Sequence, residues 1–180
     1  MPRRPRDEAE GRIWHVFARG NGQQDIYLDD QDRSLYLRLL GAAVKKHRWL
    51  CLSYCLMDNH VHLLVETPEP NLGVGMQRLH GVYAQTLNER HGWTGHVFQG
   101  RYGAVAMRND EQVITAARYI ALNPVEAGLC DTPEDWRWSS HAGVVRGGGP
   151  AWLNSERLLG FVGLWGGEPR ARYEEFVARS

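Results

Sequence analysis

Several absences narrow the field before any motif is read. The chain has three cysteines in 180 residues, Cys51, Cys55 and Cys130; an odd number without disulfide spacing excludes a disulfide-stapled scaffold. No apolar run reaches the roughly 18–20 residues needed to cross a bilayer, so no membrane segment is expected. The opening MPRRPRDEAEGR has no apolar stretch of the kind a secretory signal carries, and retention in the cytoplasm is the expectation. Excess charge is also lacking: 21 basic and 21 acidic residues cancel. That balance disfavours a broad, sequence-blind coat for nucleic acid. Lysine is nearly missing, with Lys45 and Lys46 the only two among the basic residues. Arginine suits planar phosphate and base recognition better than lysine does, although a GC-rich genome would enrich it for no structural reason. Internal repeats are absent, and low complexity is confined to the glycine run at 146–150.

What is present suffices for one compact domain with a short appendage, since 43% of the residues are hydrophobic. RIWHVFAR, rich in β-branched and aromatic residues and ended by Gly20-Asn21-Gly22, reads as a strand and turn. From Asp29 to His47, Leu35, Tyr36, Leu39, Leu40 and Ala43 recur at helical spacing. RWLCLSYCLM, apolar on both faces, reads as a central strand. A tight turn at Asp58-Asn59 then leads to an antiparallel strand, HVHLLVE. Asn71 is placed to cap a helix with the stripe Leu72, Met76, Leu79, Tyr83 and Leu87, ending near His91-Gly92. HVFQGRYGAVAM reads as a fourth strand. The order β-α-β-β-α-β is that of a ferredoxin-like α+β unit, with both helices on one face of an antiparallel sheet and the other face free for a site. A third helix, from about Asp110 to Asn123, should lie against or beside that face. RGGGP reads as a flexible joint, and the last thirty residues suggest two short helices.

Two features on this frame carry chemistry. His60 and His62 alternate along a strand, so both imidazoles leave one face while Val61, Leu63 and Val65 leave the other. Two such rings on a rigid element suit one metal ion; taken alone, they read equally as a surface pair. In DEQVITAARYIALNPVEAGL, the residues Val113, Ile114, Ala117, Ile120 and Ala121 form an apolar stripe. At about 100° per residue, Tyr119 lies roughly opposite that stripe, with Asn123 one turn further on the same face. Pro124 disfavours helix at the residue before it, which puts Asn123 at or near the helix end. A solvent-facing tyrosine with an asparagine C-cap is the bland alternative. Combined with the histidines, Asn123 could complete a metal's shell and Tyr119 could attack a phosphodiester beside it. A zinc site made from Cys51, Cys55, His60 and His62 is also conceivable, but one strand would have to fold back to supply all four.

MDNHVHLLVE, GHVFQGRYG, YIALNPVEAGL and WRWSSH, in this order and spacing, resemble the REP-associated tyrosine transposases. Those belong to the HUH single-tyrosine, IS200-like superfamily, named for a His-hydrophobic-His motif. The likeness spans about residue 12 to 178. It implies an HUH catalytic domain over 12–125 and a helical C-terminal tail over 126–180. It further implies Tyr119 as the catalytic nucleophile forming a 5′-phosphotyrosine, and Mg²⁺ or Mn²⁺ held by His60, His62 and Asn123. The implied substrate is single-stranded or hairpin DNA from repetitive palindromes, cut and rejoined by a monomer or homodimer associated with the nucleoid. Glu126 departs from the basic residue expected there, which puts one phosphate contact in doubt. Single-strand binding uses cations for phosphates and rings for bases; Arg101 and Tyr102 are the first candidates, with Arg3, Arg4 and Arg6 as a basic lead. Trp136 and Trp138 read better as packed rings. His15 and Glu66 are weaker candidates for the site's surroundings. A hairpin-binding regulator that does not cleave is the alternative function, and a replication initiator with the same chemistry a third.

Overall fold

Period-two alternation along one strand divides the molecule. The computed structural model describes residues 10–163 and 165–179. Strands β1 (Arg12–Arg19), β2 (Leu50–Leu56), β3 (His60–Thr67) and β4 (Gly103–Ala106) form one sheet in the order β2-β3-β1-β4, all neighbours antiparallel. Helices α1 (Asp30–His47) and α2 (Leu72–His91) connect them as β-α-β-β-α-β, the α+β ferredoxin-like arrangement expected. On one face Val61, Leu63 and Val65 meet Tyr36 and Leu40 of α1 and Met76, Tyr83 and Leu87 of α2. Each such fully buried aliphatic side chain contributes about 1.5–3 kcal/mol.

Local signals explain the helix ends. Asp29 accepts from the N–H groups of Gln31 and Asp32, satisfying two orphan donors at the start of α1. Gly92 closes α2 at φ 66. The stripe from Leu72 to Leu87 is buried as read. Asn71 stands at the N-cap position, but its side chain makes no cap bond. Its Oδ1 accepts from the Trp49 indole at 2.6 Å, and its Nδ2 donates to the His47 carbonyl at 3.1 Å. It ties α2 to the end of α1 instead.

Half of the second face is covered, in part by the third helix expected against or beside it. Helix α3 (Asp110–Glu126) packs Ile114, Ala117 and Ile120 against Ile13, Leu52 and Leu64, together with Leu158 and Val162 of α5 (Ser155–Gly163). The chain after α3 also supplies α4 (His141–Arg146) and α6 (Pro169–Ala178); α5 and α6 are the two short helices expected in the last thirty residues. Tail segments cap the outer edge of β2. Leu56 N–H donates to the Trp138 carbonyl, Ser140 N–H to the Tyr54 carbonyl, and Asn154 N–H to the Cys51 carbonyl. An unpaired edge strand is thereby closed off. The glycine segment before α5 is tied down rather than loose, with Gly148 N–H donating to the Gly143 carbonyl at 2.8 Å.

Two boundaries move. The fourth strand is only Gly103–Ala106, because Val97, Phe98 and Tyr102 turn into the helix-side core instead of alternating. Helix α3 runs through Pro124 to Glu126 rather than stopping at Asn123, since Ala127 N–H still finds the Asn123 carbonyl at 3.0 Å. Pro124 has no N–H to give the ladder, yet the turn beyond it closes, and Gly128 at φ 69 ends it.

Candidate active site

The uncovered part of the second face, around β1 and the middle of α3, gathers the residues singled out for chemistry. His60 and His62 leave β3 toward it, and their ring centroids lie 5.0 Å apart. Tyr119 on α3 meets His62 edge-on at 5.3 Å and is 44% exposed. Asn123, one turn later and buried, brings its Oδ1 to 3.0 Å from His60 Nε2. The structure thus assembles His60, His62, Tyr119 and Asn123 in one place.

The partners of each ring nitrogen favour one arrangement of protons. Asn59 donates its Nδ2 to the Gln23 carbonyl at 3.1 Å, which turns its Oδ1 toward His60 Nδ1 at 2.7 Å. His60 therefore donates from Nδ1, and in the neutral ring Nε2 holds a lone pair. Its partner there is the Asn123 side-chain amide, with Oδ1 at 3.0 Å, and the donor of that contact depends on the tautomer. Burial lowers the His60 pKa, so the neutral form is favoured. Burial, with help from His15 and His60, takes His62 down to about 3. Both imidazoles are neutral at neutral pH, as metal ligation requires.

His15, a weaker candidate for the site's surroundings, lies in direct contact with these residues. Its Nε2 lies 3.0 Å from His62 Nδ1, and its ring is 5.8 Å from Tyr119. When His62 Nδ1–H donates to it, His62 keeps Nε2 as its lone-pair nitrogen. Asn59 and His15 thus orient the two candidate ligands from behind, the usual service of outer groups around a metal. Asn59 was missed altogether. The signal available in sequence was strand alternation in β1, which puts His15, Phe17 and Arg19 on the face of His60 and His62.

Other candidates separate. Tyr102 is corrected: only 6% exposed, it packs in the helix-side core edge-on to His80 and offers no open ring for a base. Arg101 is exposed in the bend before β4 rather than on the strand. Arg3, Arg4 and Arg6 lie outside the described residues. Glu66 shares the histidine face, but its Oε2 accepts from Arg157 Nε of α5 at 2.8 Å, so it anchors the tail rather than serving a metal. Trp136 and Trp138 are half-buried and flank the Arg33 guanidinium, and the Trp136 indole donates to the Leu56 carbonyl at 3.0 Å.

The zinc reading fails on geometry. Cys51 faces the helix-side core and Cys55 the opposite one, and burial pushes the Cys51 thiol up to about 12. Among the described residues no three His, Cys, Asp or Glu side chains converge as a metal cluster. The donor set here is two imidazoles and an amide oxygen. From Tyr119 and His15 an open groove of about 1210 Å³ runs between β4 and the start of α3, past Val105, Arg108, Gln112 and Thr115. Among the described residues no helix is long and apolar enough to cross a membrane.

Comparison with known proteins bears on these residues. A family model described as transposase, IS200-like, matches residues 13–123. A Haemophilus influenzae protein named for the REP-associated tyrosine transposases is 23% identical over 133 residues, covering 64% of this chain and 76% of the relative. A solved structure of a REP-associated tyrosine transposase bound to a REP hairpin aligns at a TM-score of 0.67 and 19% identity. It covers 83% of this chain and 89% of its own. At that identity the likeness is one of fold.

Proposed function

This chain belongs to the IS200-like transposase family, and from that premise we propose that it cleaves and rejoins single-stranded DNA beside a hairpin, with Tyr119 as nucleophile. The observation that carries the reading is the convergence of His60, His62 and Asn123 beside an exposed tyrosine, with Asn123 Oδ1 3.0 Å from His60 Nε2. Two imidazoles and an amide oxygen so placed can hold a cation. A divalent ion, Mg²⁺ or Mn²⁺, fits there, with His60, His62 and Asn123 as its protein ligands. When bound, such an ion supplies Lewis-acid neutralisation of the non-bridging phosphate oxygens.

The chain's own groups do the rest. Tyr119, on the exposed side of a helix braced by two layers, presents its phenol oxygen to a phosphodiester without needing to unfold its surroundings. As its oxygen bonds to phosphorus, the bond from phosphorus to the 3′ oxygen breaks. The phenol gives up its proton, the departing 3′ oxygen takes one up, and a 5′-phosphotyrosine and free 3′-OH result. The ester keeps the energy of the broken linkage, so attack by a 3′-OH reverses the step and rejoins strands. His15 and Asn59 hold the imidazoles in register throughout. Arg101, exposed before β4, serves as a backbone contact. Residues 12–125 carry the chemistry and 126–180 brace α3 and the edge of β2. The hairpin as substrate is supported by the relative solved with a REP hairpin.

The test is a covalent adduct. The full chain incubated with hairpin-bearing single-stranded DNA and Mn²⁺ should yield a protein–DNA band on a denaturing gel. That band should vanish with chelator and in Tyr119→Phe. An undiminished band in Tyr119→Phe overturns the nucleophile. Tight, chelator-insensitive binding without any adduct favours a regulator that binds hairpins and does not cut.

A further inference from the structure

Phe17 is an odd residue for its place. It sits mid-strand in β1, paired with His62 on one side and Gly103 on the other, and is 41% exposed. An aromatic ring open to solvent on a rigid strand offers a flat face on which a base can stack. Its centroid is 6.3 Å from that of His62 and 5.8 Å from that of His15, so it borders the phosphotransfer site directly. One side of the ring lies over Gly103: a Cβ there would come within 2.3 Å of the ring carbons. The absent side chain lets the ring lie down against the sheet, leaving its outer surface clear. Arg19, two residues on and opposite His60 in the register, is exposed on the same face. Val105, beside His15, is 52% exposed. Together they make a cation, a flat ring and an apolar patch in a row across β1 and β4.

We propose that Phe17 is the platform on which the nucleobase next to the cleaved linkage stacks, with Arg19 taking the neighbouring phosphate. The inference rests on the reading of this site as one for single-stranded DNA. Stacking on an aromatic face tolerates any base, and it would pin the nucleotide flanking the reacting phosphate so that phosphorus stays in line with Tyr119. Covering Gly103 explains why some side chain lies there, but not why it should be aromatic and left open on its outer side.

The experiment uses the full chain carrying Tyr119→Phe, so that binding is measured without cleavage, and two probes: a thymidine dodecamer and an abasic dodecamer with the same backbone. Phe17→Ala should weaken binding of the thymidine oligomer on the order of tenfold and leave the abasic oligomer unchanged. Phe17→Trp should keep the base-dependent part, whereas Phe17→Leu, which still covers Gly103, should lose it. Equal losses on both probes, no loss on either, or full rescue by leucine would overturn the stacking role. Adduct formation by the otherwise wild-type chain is read separately. An adduct with no base-dependent loss at Phe17 sinks the platform alone; no adduct sinks the nucleophile and leaves the binding result to stand by itself.

Discussion

Each side of the sheet holds a buried neutral histidine, and the two stand in different surroundings. His80, in the helix-side core, stacks on Phe98 at 4.3 Å and takes the Tyr36 hydroxyl on its Nε2 at 3.1 Å. His62, on the other face, leans on His15 and meets an exposed tyrosine. Burial lowers both, His80 to about 4 and His62 to about 3. A depressed pKa therefore does not mark function here. What separates them is their surroundings: a phenol that closes the network around His80, and around His62 a cluster of His15, His60 and an exposed tyrosine.

The sharpest way to break this contrast is to remove each ring in turn. His62→Ala should cut adduct formation and Mn²⁺ affinity on the order of a hundredfold or more, while thermal unfolding shifts little. His80→Ala should do the reverse. It opens a cavity and leaves Tyr36 unpaired, costing about 3 kcal/mol of stability, with Mn²⁺ affinity by titration unchanged. If His80→Ala abolished metal binding and His62→Ala only melted the protein, the two sides would have been assigned backwards.

The sequence made these sides unequally legible. The helix-side core was readable because hydrophobic period alone determines it: Leu72, Met76, Leu79, Tyr83 and Leu87 recur at helical spacing and all are buried. His60 and His62 were legible as a pair by alternation, and Tyr119 with Asn123 by helical phase. Their convergence rested on the resemblance, since no local pattern says how α3 crosses the sheet. Asn59 and His15 act through hydrogen bonds to rings on other residues, and no local pattern announces a tautomer. Tyr102 was misplaced for a related reason. RYGAVA reads as continuous alternation, yet the chain bends before Gly103 and the ring turns inward. The covering of β2 by the tail was equally hidden, because Trp138, Ser140 and Asn154 pair with strand carbonyls through backbone atoms.

A smaller effect follows from protonation. His80 has its folded pKa pulled below the unfolded value of about 6.5, so between those values the unfolded chain binds more protons than the folded one. Its contribution to stability is complete above the unfolded pKa and is lost as pH falls from there toward about 4. The steepest slope one such group can give is about 1.4 kcal/mol per pH unit. Denaturant midpoints from pH 7 to 4.5 should fall faster for the wild-type chain than for His80→Leu. His62, lowered further by burial, should add to the same slope in metal-free protein. Parallel curves for wild type and His80→Leu would mean that His80 takes up its proton without cost.

The smallest expected change tests where the covered half of the second face ends. Glu66 stands on the histidine face of β3 but pairs with Arg157 of α5, whose side chain is 41% exposed. Solvent screens such a pair, so its removal should cost about 1 kcal/mol or less. Glu66→Gln keeps the shape and a hydrogen-bond acceptor for Arg157 while removing the charge. It should therefore leave Mn²⁺ affinity and adduct yield at wild-type levels, with only a slight loss in unfolding temperature. Four residues separate Glu66 from His62 along β3, roughly 13 Å at strand spacing, too far for a shared ion. A marked drop in metal affinity on Glu66→Gln would show that the polar site extends under the tail. The boundary between braced and working halves of this face would then lie beyond Leu64, not before it.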